Sequence, residues 1–320
     1  MAEFSIIAKY FSRQEYSPGD VLLGIGDDAG IVDSTGHDQL AISVDTLNAG
    51  VHFPLETSPY DIGWKSLAVN LSDMAAMGAK PLWFTLAISL PDEKDKWLAE
   101  FARGLFEIAN KYNVKLIGGD TTQGPLSISI QITGAYTGQG KFQRNAAKPG
   151  DLIYVTGFIG DAALGLLSLN KDLPLSFDEK YQLLKKLSRP EPRVKEALAF
   201  SHFINAAIDI SDGLYADLNH ILKLSGVGAE IFVNQLPISR IYRWVDNSEN
   251  MYDLALTGGD DYELCVTISP ENEQAFIEKA AELNCRISKV GEITDGDRLE
   301  LLKLDKSAYE LHKNAYEHFA

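Results

Sequence analysis

Acidic residues recur in this sequence where apolar, strand-like runs end in glycine-rich turns. Asp73 adds an acid three residues after Asn70, on the same face of a predicted helix. Clustered carboxylates repel one another unless cations neutralise them, and hard oxygen ligands favour Mg²⁺, Ca²⁺ or Mn²⁺. The pattern predicts a site where several Mg²⁺ ions hold a phosphate-bearing substrate. The turn acids stand in GIGDDAG, AISVDT, LIGGDTT, IDISDG and TGGDDYE, and are Asp27, Asp28, Asp45, Asp120, Asp209, Asp212, Asp260 and Asp261.

Few basic residues are needed at such a site, because phosphoryl transfer depends on positioning and charge neutralisation. Two of the candidates, Arg189 and Arg193, stand beside prolines in RPEPRV. Arginines in such a position often only cap the start of a helix, so a structural role is the alternative for this pair. The turn acids could equally be scattered surface residues of unrelated, solvated turns, and the sequence leaves this alternative open. The candidate cations are Lys65, Lys141, Arg144, Arg189 and Arg193.

Common nucleotide-binding motifs are absent from the sequence. The turn Gly24–Ala29 has dinucleotide-like spacing, with Asp45 near the position of a ribose-binding acid, but two carboxylates occupy the place of the pyrophosphate. The stretch from Gly134 to Lys141 has five residues between its glycines, and Phe142 replaces the Ser or Thr of a P-loop. Neither a Gly-x-Ser-x-Gly elbow nor an HExxH or CxxC pattern occurs.

Short strand-like runs alternate with helical stretches along the chain, and IVDS after the first acidic turn also looks like a strand. A Lys-Pro-Gly-Asp turn within 144–157 precedes a new strand, so we predict two α+β halves with a boundary near 138–150. The irregular spacing excludes a (β/α)₈ barrel. The other predicted strands are 39–45, 81–90, 114–120, 126–138, 206–211, 228–233, 262–269 and 285–293. The predicted helices are 59–79, 92–112, 160–169, 179–187, 191–203, 213–226 and 271–283.

Composition narrows the class of protein. The chain has 320 residues, enough for about two domains. Its 45 acids against 29 bases give a net charge of −16, which repels nucleic acid. No apolar run is long enough to span a membrane. MAEFSIIAKYFS lacks the basic segment and apolar core of a secretory signal, so we expect a cytoplasmic protein in which Cys265 and Cys285 stay reduced.

The sequence resembles the thiamine-monophosphate kinases from residue 3 to residue 319. Its two long blocks, at 65–90 and 117–128, are the most specific. The matching stretches are EFSIIAKYF, GIGDDAG, LAISVDTLNAGVHF, KSLAVNLSDMAAMGAKPLWFTLAISLP, LIGGDTTQGPLSI, AAKPGDLIYVTG, SRPEPRV, AIDISDGLYADL, TGGDDYELC and YEHF.

This resemblance implies a two-domain fold of the α/β (α+β) class. The N-terminal half, 1–138, would bind Mg²⁺ and ATP and pair with a second copy, forming a dimeric β-barrel flanked by helices. The C-terminal half, 150–320, would be an α+β sandwich that completes the nucleotide and substrate sites. The implied reaction transfers the γ-phosphoryl group of ATP to thiamine monophosphate, with several Mg²⁺ ions, in a cytoplasmic homodimer that binds neither nucleic acid nor membrane.

Site residues follow from the same resemblance. Val44 stands where Thr is frequent, and its backbone carbonyl would be the ligand; Asp260 stands where some relatives have Glu. Asp120, Arg144 and Asp212 are the expected catalytic residues. The implied metal ligands are Asp28, Ser43, Val44, Asp45, Asp73, Asp120, Asp209 and Asp212. The implied nucleotide contacts are Gly119, Asp120, Arg144 and Ser211, with the region of Arg103, and the implied substrate contacts are His52, Asp260 and Tyr316.

The implied chemistry needs no protein base. The substrate's own phosphate, whose second pKa is about 6, is already ionised near neutral pH, which agrees with the absence of a His–Asp or Ser–His pairing. A direct in-line transfer is therefore expected. A sibling ATP-dependent synthetase, making a purine intermediate or selenophosphate, is the alternative enzyme. A nucleotide-binding regulator without turnover is the alternative outside catalysis.

Overall fold

A computed structural model describes residues 21–23, 27, 29–34, 38–136, 142–244 and 248–312. Asp28, Lys141 and Tyr316, which the sequence analysis singled out, lie outside these ranges. Among the described residues, no helix has the length and apolar character that crossing a lipid bilayer requires.

The first half of the chain builds an open, mixed sheet of six strands. Its order is β1-β2-β3-β6-β4-β5, and only β4 and β5 run parallel. Neither this sheet nor the second closes into a barrel within the described residues, so the barrel expected of a dimer is not formed by one chain. The strands are β1 (Val21–Leu23), β2 (Gly30–Ser34), β3 (Asp38–Asn48), β4 (Lys80–Leu90), β5 (Lys115–Gln123) and β6 (Ser127–Ala135).

Among the described residues of this half, two helices cover the sheet, α1 (Pro59–Ala76) and α2 (Asp95–Lys111). Ser58 caps α1 by accepting the backbone N–H of Asp61, and Pro59 takes the first helical position, where its missing N–H does no harm. Gly78, at φ 64°, ends the helix as its sequence position predicts. Most of α1 is apolar or small on every side, which is typical of a helix buried all round.

The second half builds another six-stranded sheet, ordered β12-β9-β11-β7-β10-β8, in which only β12 and β9 run parallel. Its strands are β7 (Leu152–Thr156), β8 (Ile204–Asp209), β9 (Gly228–Phe232), β10 (Leu264–Ile268), β11 (Ile287–Thr294) and β12 (Leu299–Leu302). Its helices are α3 (Asp161–Asn170), α4 (Phe177–Ser188), α5 (Val194–Phe200), α6 (Leu214–Ser225), α7 (Ser248–Thr257) and α8 (Glu273–Glu282).

One apolar core joins the two halves. Helix α1 packs on β3, β4 and β6 of the first sheet and also contacts β8, α4 and α5 of the second half. A single cluster of buried side chains runs from Leu67 and Leu71 of α1 to Val194, Phe200 and Phe276. The halves that the sequence separates near 138–150 therefore meet over a shared hydrophobic surface, with α1 at its centre.

Most predicted elements are present, and the differences have local causes. Helix α5 spans 194–200 instead of 191–203, because Pro192 lacks a backbone donor and disfavours helical geometry at Glu191. The sequence analysis missed the short strands β1 and β12, together with α7. Strands of three or four residues carry too little periodicity to be recognised in isolation.

Candidate active site

The C-terminal end of α1 meets the middle of β3 at a serine–aspartate pair. The hydroxyl of Ser43 donates to Oδ2 of Asp73 at 2.5 Å. Asp45 lies two residues after Ser43, on the same face of β3 and about 7 Å further along the strand. Val44 lies between them on the other face, where its side chain is 63% exposed. Four of the predicted metal ligands, counting the backbone carbonyl of Val44, thus lie where α1 meets β3.

The end of β8 supplies a second set of acids. Asp209 is the last residue of the strand and is buried, and Ser211 and Asp212 form the turn before α6. Asp217, buried in the first turn of α6, accepts the backbone N–H groups of Ser211 at 3.0 Å and Asp212 at 3.1 Å through Oδ2. Burial and the neighbouring charge of Asp212 raise the pKa of Asp217 well above its ordinary value. Asp217 thereby holds the turn that carries two predicted site residues.

Arg144 is anchored beside this turn by an acid from the start of the chain. Its backbone N–H donates to Oδ2 of Asp27 at 3.1 Å, and its Nε lies 3.6 Å from Oδ1 of the same residue. Both side chains are nearly buried, and the backbone carbonyl of Arg144 accepts the hydroxyl of Ser225 at 2.9 Å. The positive charge of Arg144 also acts on Asp217, opposing the rise in its pKa. Asp27, first counted among the turn acids, positions this arginine.

Lys65 brings the predicted substrate residues of the two halves together. Its Nζ lies 2.7 Å from Oδ1 of Asp260 and donates to the backbone carbonyl of His52 at 3.0 Å. The imidazole Nδ1 of His52 accepts the backbone N–H of Asn48 at 2.9 Å, so its orientation is set by the loop after β3. The pairing of Lys65 with Asp260 spans the interface between the two halves.

Tyr262 lies where the acids of both halves meet. Burial, followed by the charges of Asp260, Asp45 and Asp209, raises the pKa of its phenol well above the ordinary value. These carboxylates come from β3, from the end of β8 and from the turn before β10. Charges from three of the five acidic turns thus act on one phenol. Asp209 ends β8 as predicted, whereas Asp45 lies inside β3, which continues to Asn48, so the prediction that Asp45 ends a strand is wrong.

Asp120 and Gly119 lie apart from this group within one chain. They belong to β5, the edge strand, and are exposed. The register runs from Asp45 on β3 through β6 and β4 to Gly119, three strand spacings or about 14 Å along the sheet. A side chain at position 119 would place its Cβ 1.9 Å from the backbone carbonyl of Leu86, so only glycine allows this close strand approach.

The remaining candidate cations have other partners. Arg103 pairs with Glu100 and lies 4.2 Å from the ring centre of Tyr60, in the first turn of α1. This places Arg103 about 20 Å along the helix from Asp73, at 1.5 Å per residue. Arg189 pairs with Asp61, and Arg193 forms a bidentate pair with buried Glu263 at 2.5 and 2.6 Å.

Sequence reasoning missed Tyr262 and Asp217. No feature of TGGDDYE distinguishes its tyrosine from a packing residue. Asp217 had a signal, since an acid in the first turn of a helix is well placed to accept backbone N–H groups of the preceding turn. Within the described residues, no three His, Cys, Asp or Glu side chains come close enough together to hold a metal ion by themselves.

The chain matches known proteins along nearly its whole length. Residues 26–139 match the family model "AIR synthase related protein, N-terminal domain" and residues 148–303 match "AIR synthase related protein, C-terminal domain". The thiamine-monophosphate kinase of Escherichia coli strain K12 is 44% identical over 321 aligned positions, which cover 99% of this chain and 98% of that protein.

Solved structures give the same result. Thiamine-monophosphate kinase from Stenotrophomonas maltophilia K279a has a TM-score of 0.81 at 42% identity, covering 96% of this chain and 98% of that chain. A structure described as AaThiL complexed with AMPPCP and TMP has a TM-score of 0.86 at 28% identity, covering 99% and 97% of the two chains. These similarities establish that the chain belongs to the thiamine-monophosphate kinase family and carries both domains of the AIR synthase related proteins.

Proposed function

We propose that this protein transfers the γ-phosphoryl group of ATP to thiamine monophosphate, yielding thiamine diphosphate and ADP. The observation that carries the proposal is the contact of Lys65 with Asp260 and with the carbonyl of His52, which joins predicted substrate residues of the two halves, in a chain whose relatives bear this activity in their names. The complex of AaThiL with AMPPCP and TMP, a relative of the same fold, supports the pairing of nucleotide and substrate.

The described donor set fits Mg²⁺. Every candidate ligand is a hydroxyl, carboxylate or carbonyl oxygen, the ligand type that Mg²⁺ prefers, and Mg²⁺ usually adds substrate phosphates to one or two protein carboxylates. Asp73 lies in the last turn of α1, where the helix dipole disfavours negative charge and a neighbouring cation relieves it. When bound, Mg²⁺ would neutralise the phosphates of both substrates. The ligands we propose are Asp28, Ser43, the carbonyl of Val44, Asp45, Asp73, Asp120, Asp209 and Asp212.

The chain's own residues would orient two polyanions rather than react with them. Arg144, held by Asp27, would stabilise charge on the transferred phosphoryl group. Gly119, Asp120 and Ser211 would contact the nucleotide, while His52, Asp260 and Tyr316 would contact thiamine monophosphate. No side chain has to remove a proton, because the attacking phosphate oxygen is already ionised, so we propose direct in-line transfer. A phosphorylated residue trapped during turnover would contradict it.

We further propose that the N-terminal half, 1–138, pairs with a second copy to form a barrel, and that 150–320 completes each site. Support comes from β5, an edge strand exposed on both faces whose Ile117 side chain is 61% exposed. An open edge of this kind pairs readily with another strand. Pairing would also explain why Asp120 lies far from Asp45 within one chain. The free, buried cysteines agree with a location in the reducing cytoplasm.

Incubation of the purified protein with ATP, Mg²⁺ and thiamine monophosphate, followed by chromatography, tests the reaction. We expect stoichiometric thiamine diphosphate and ADP, and no product when EDTA is present. ATP consumption without thiamine diphosphate would contradict the proposed substrate and favour a sibling ATP-dependent synthetase. Absence of both ATP binding and turnover would contradict catalysis altogether.

A further inference from the structure

The carboxylate of Asp260 is held through only one of its two oxygens. Lys65 Nζ lies 2.7 Å from Oδ1, and the hydroxyl of Tyr262 donates to the same Oδ1 at 3.1 Å. No described residue donates to Oδ2, and the Asp260 side chain is 28% exposed. Within the described part of the chain, one oxygen is therefore used by the protein, and the other is left to a ligand.

Burial of Lys65 keeps its ammonium group next to Asp260. The residue is 1% exposed, in the middle of α1, where an unpaired ammonium group would be strongly unfavourable. Its Nζ also donates to the carbonyl of His52, so the same cation reaches the loop after β3 and the turn before β10. Any ligand held by His52 and Asp260 is thus bordered by a lysine that cannot move away without losing both partners.

The backbone that carries Asp260 and Tyr262 is equally constrained. Both residues have positive φ, 71° and 50°, a conformation that side chains other than glycine adopt only when their surroundings enforce it. The N–H of Asp260 donates to the carbonyl of Ser211, and that of Tyr262 to Ile210, both at 2.8 Å. A Cβ on Gly259 would lie 2.1 Å from the carbonyl of Ser211. The turn is locked against the acidic end of β8.

We propose that Lys65 and Tyr262 are positioning residues for recognition of thiamine monophosphate: they fix Oδ1 of Asp260 so that Oδ2 accepts a hydrogen-bond donor of the substrate. This inference rests on the proposed function. It gives Lys65 and Tyr262, which both contact Asp260, a role in recognising the substrate. It also makes the interface between the two halves part of the substrate subsite.

The KM values of Lys65→Met, Lys65→Arg and Tyr262→Phe for thiamine monophosphate and for ATP test this role. Each lost hydrogen bond to a charged group should raise the KM for thiamine monophosphate by about tenfold or more, with the KM for ATP unchanged. Lys65→Arg, which keeps the charge, should recover part of the loss. Tyr154→Phe is the matched control, because Tyr154 donates to Glu273 at 2.7 Å in the same half and lies outside the site.

A double-mutant cycle distinguishes positioning from a general structural effect. If Lys65 and Tyr262 act through Asp260, their substitutions should add little to the KM already raised by Asp260→Asn. Additive effects, or equal increases in both KM values, would overturn the proposal. Because Lys65→Met leaves a carboxylate unpaired, Lys65→Met/Asp260→Asn keeps the test valid if the single variant does not fold. Failure of the wild-type protein to form thiamine diphosphate would instead overturn the proposed function.

Discussion

Three charges at the candidate site, those of Asp73, Arg144 and Asp260, have a specific neighbour that fixes their place. Ser43 holds Asp73, Asp27 holds Arg144, and Lys65 holds Asp260, in each case across a long separation in sequence. Asp217 holds the turn of Asp212 through backbone donors instead of a cation. The chain therefore positions its acids individually, which is what a site that orients metal-bound phosphates requires.

Asp73→Asn tests the proposed metal role at the scale of one residue. The rate of thiamine diphosphate formation should fall at least about 100-fold, the upper end of what losing a ligand's supporting partner costs. The melting temperature should stay equal or rise, because the helix dipole disfavours a carboxylate in the last turn of α1. Steady-state kinetics and thermal circular dichroism measure both, with exposed Asp172→Asn as the control. Activity within about threefold of wild type would remove Asp73 from the proposed ligands.

Among the elements, α1 and α2 pack at unusually close range. A Cβ on Gly63 of α1 would lie 2.1 Å from the carbonyl of Phe101, and one on Gly104 of α2 would lie 1.9 Å from the carbonyl of Tyr60. Each glycine thus admits the backbone of the other helix. This contact sets the distance of α2 from α1, and α1 carries Lys65 and Asp73 into the site.

Gly104→Ala should destabilise the protein despite the higher helix propensity of alanine. The propensity gain is about 1 kcal/mol, whereas the methyl group would force two backbones apart, and overpacking of this kind costs about 1–3 kcal/mol. Because the added Cβ would lie 1.9 Å from a backbone carbonyl, we expect the upper end of that cost and a net loss of about 2 kcal/mol in the free energy of unfolding. Urea denaturation provides the measurement, and Lys96→Ala on the exposed face of α2 provides the control. A free energy of unfolding at or above the wild-type value would contradict this prediction, because it would mean that the two helices can move apart to admit the methyl group without cost.

At the scale of the whole molecule, the shared core and the open edge of the first sheet have different structural roles. The core around α1 ties the two halves of one chain together. The edge strand β5 faces outward, with Leu116 and Ile117 exposed beside Asp120. The core around α1 is formed within one chain, and we propose that a second copy of the chain covers the edge at β5.

Ile117→Lys tests that assembly, because a charge on an edge strand opposes strand pairing. Light scattering after size exclusion should give twice the chain mass of 35.2 kDa for the wild type and the single mass for the variant. Kinase activity should fall together with dimer formation. Phe177→Lys, at an even more exposed apolar residue of the second half, should change neither. A wild-type monomer with full activity would contradict the proposed assembly.

The long elements could be predicted from sequence because their signals are local. The cap at Ser58, Pro59 and the stop at Gly78 define α1. Asp209 ends its strand as the turn pattern predicts, whereas β3 continues to Asn48 beyond Asp45 and β5 continues to Gln123 beyond Asp120. The short strands β1 and β12 could not be predicted, because three or four residues form strands only where a neighbouring edge offers hydrogen bonds. The order of strands in both sheets also lay beyond local patterning.

The sequence by itself supplied the proposed chemical character of the site, since oxygen ligands favour hard cations such as Mg²⁺. It also determined family membership, through the ordered motifs. Only the tertiary structure decided which acids act together: the charges of Asp45, Asp209 and Asp260 all act on Tyr262, while Asp120 lies three strands from Asp45. The reason is physical. Residue type and spacing act along the chain, whereas the pairing of Lys65 with Asp260 depends on how α1 packs between two sheets, which the whole core decides together.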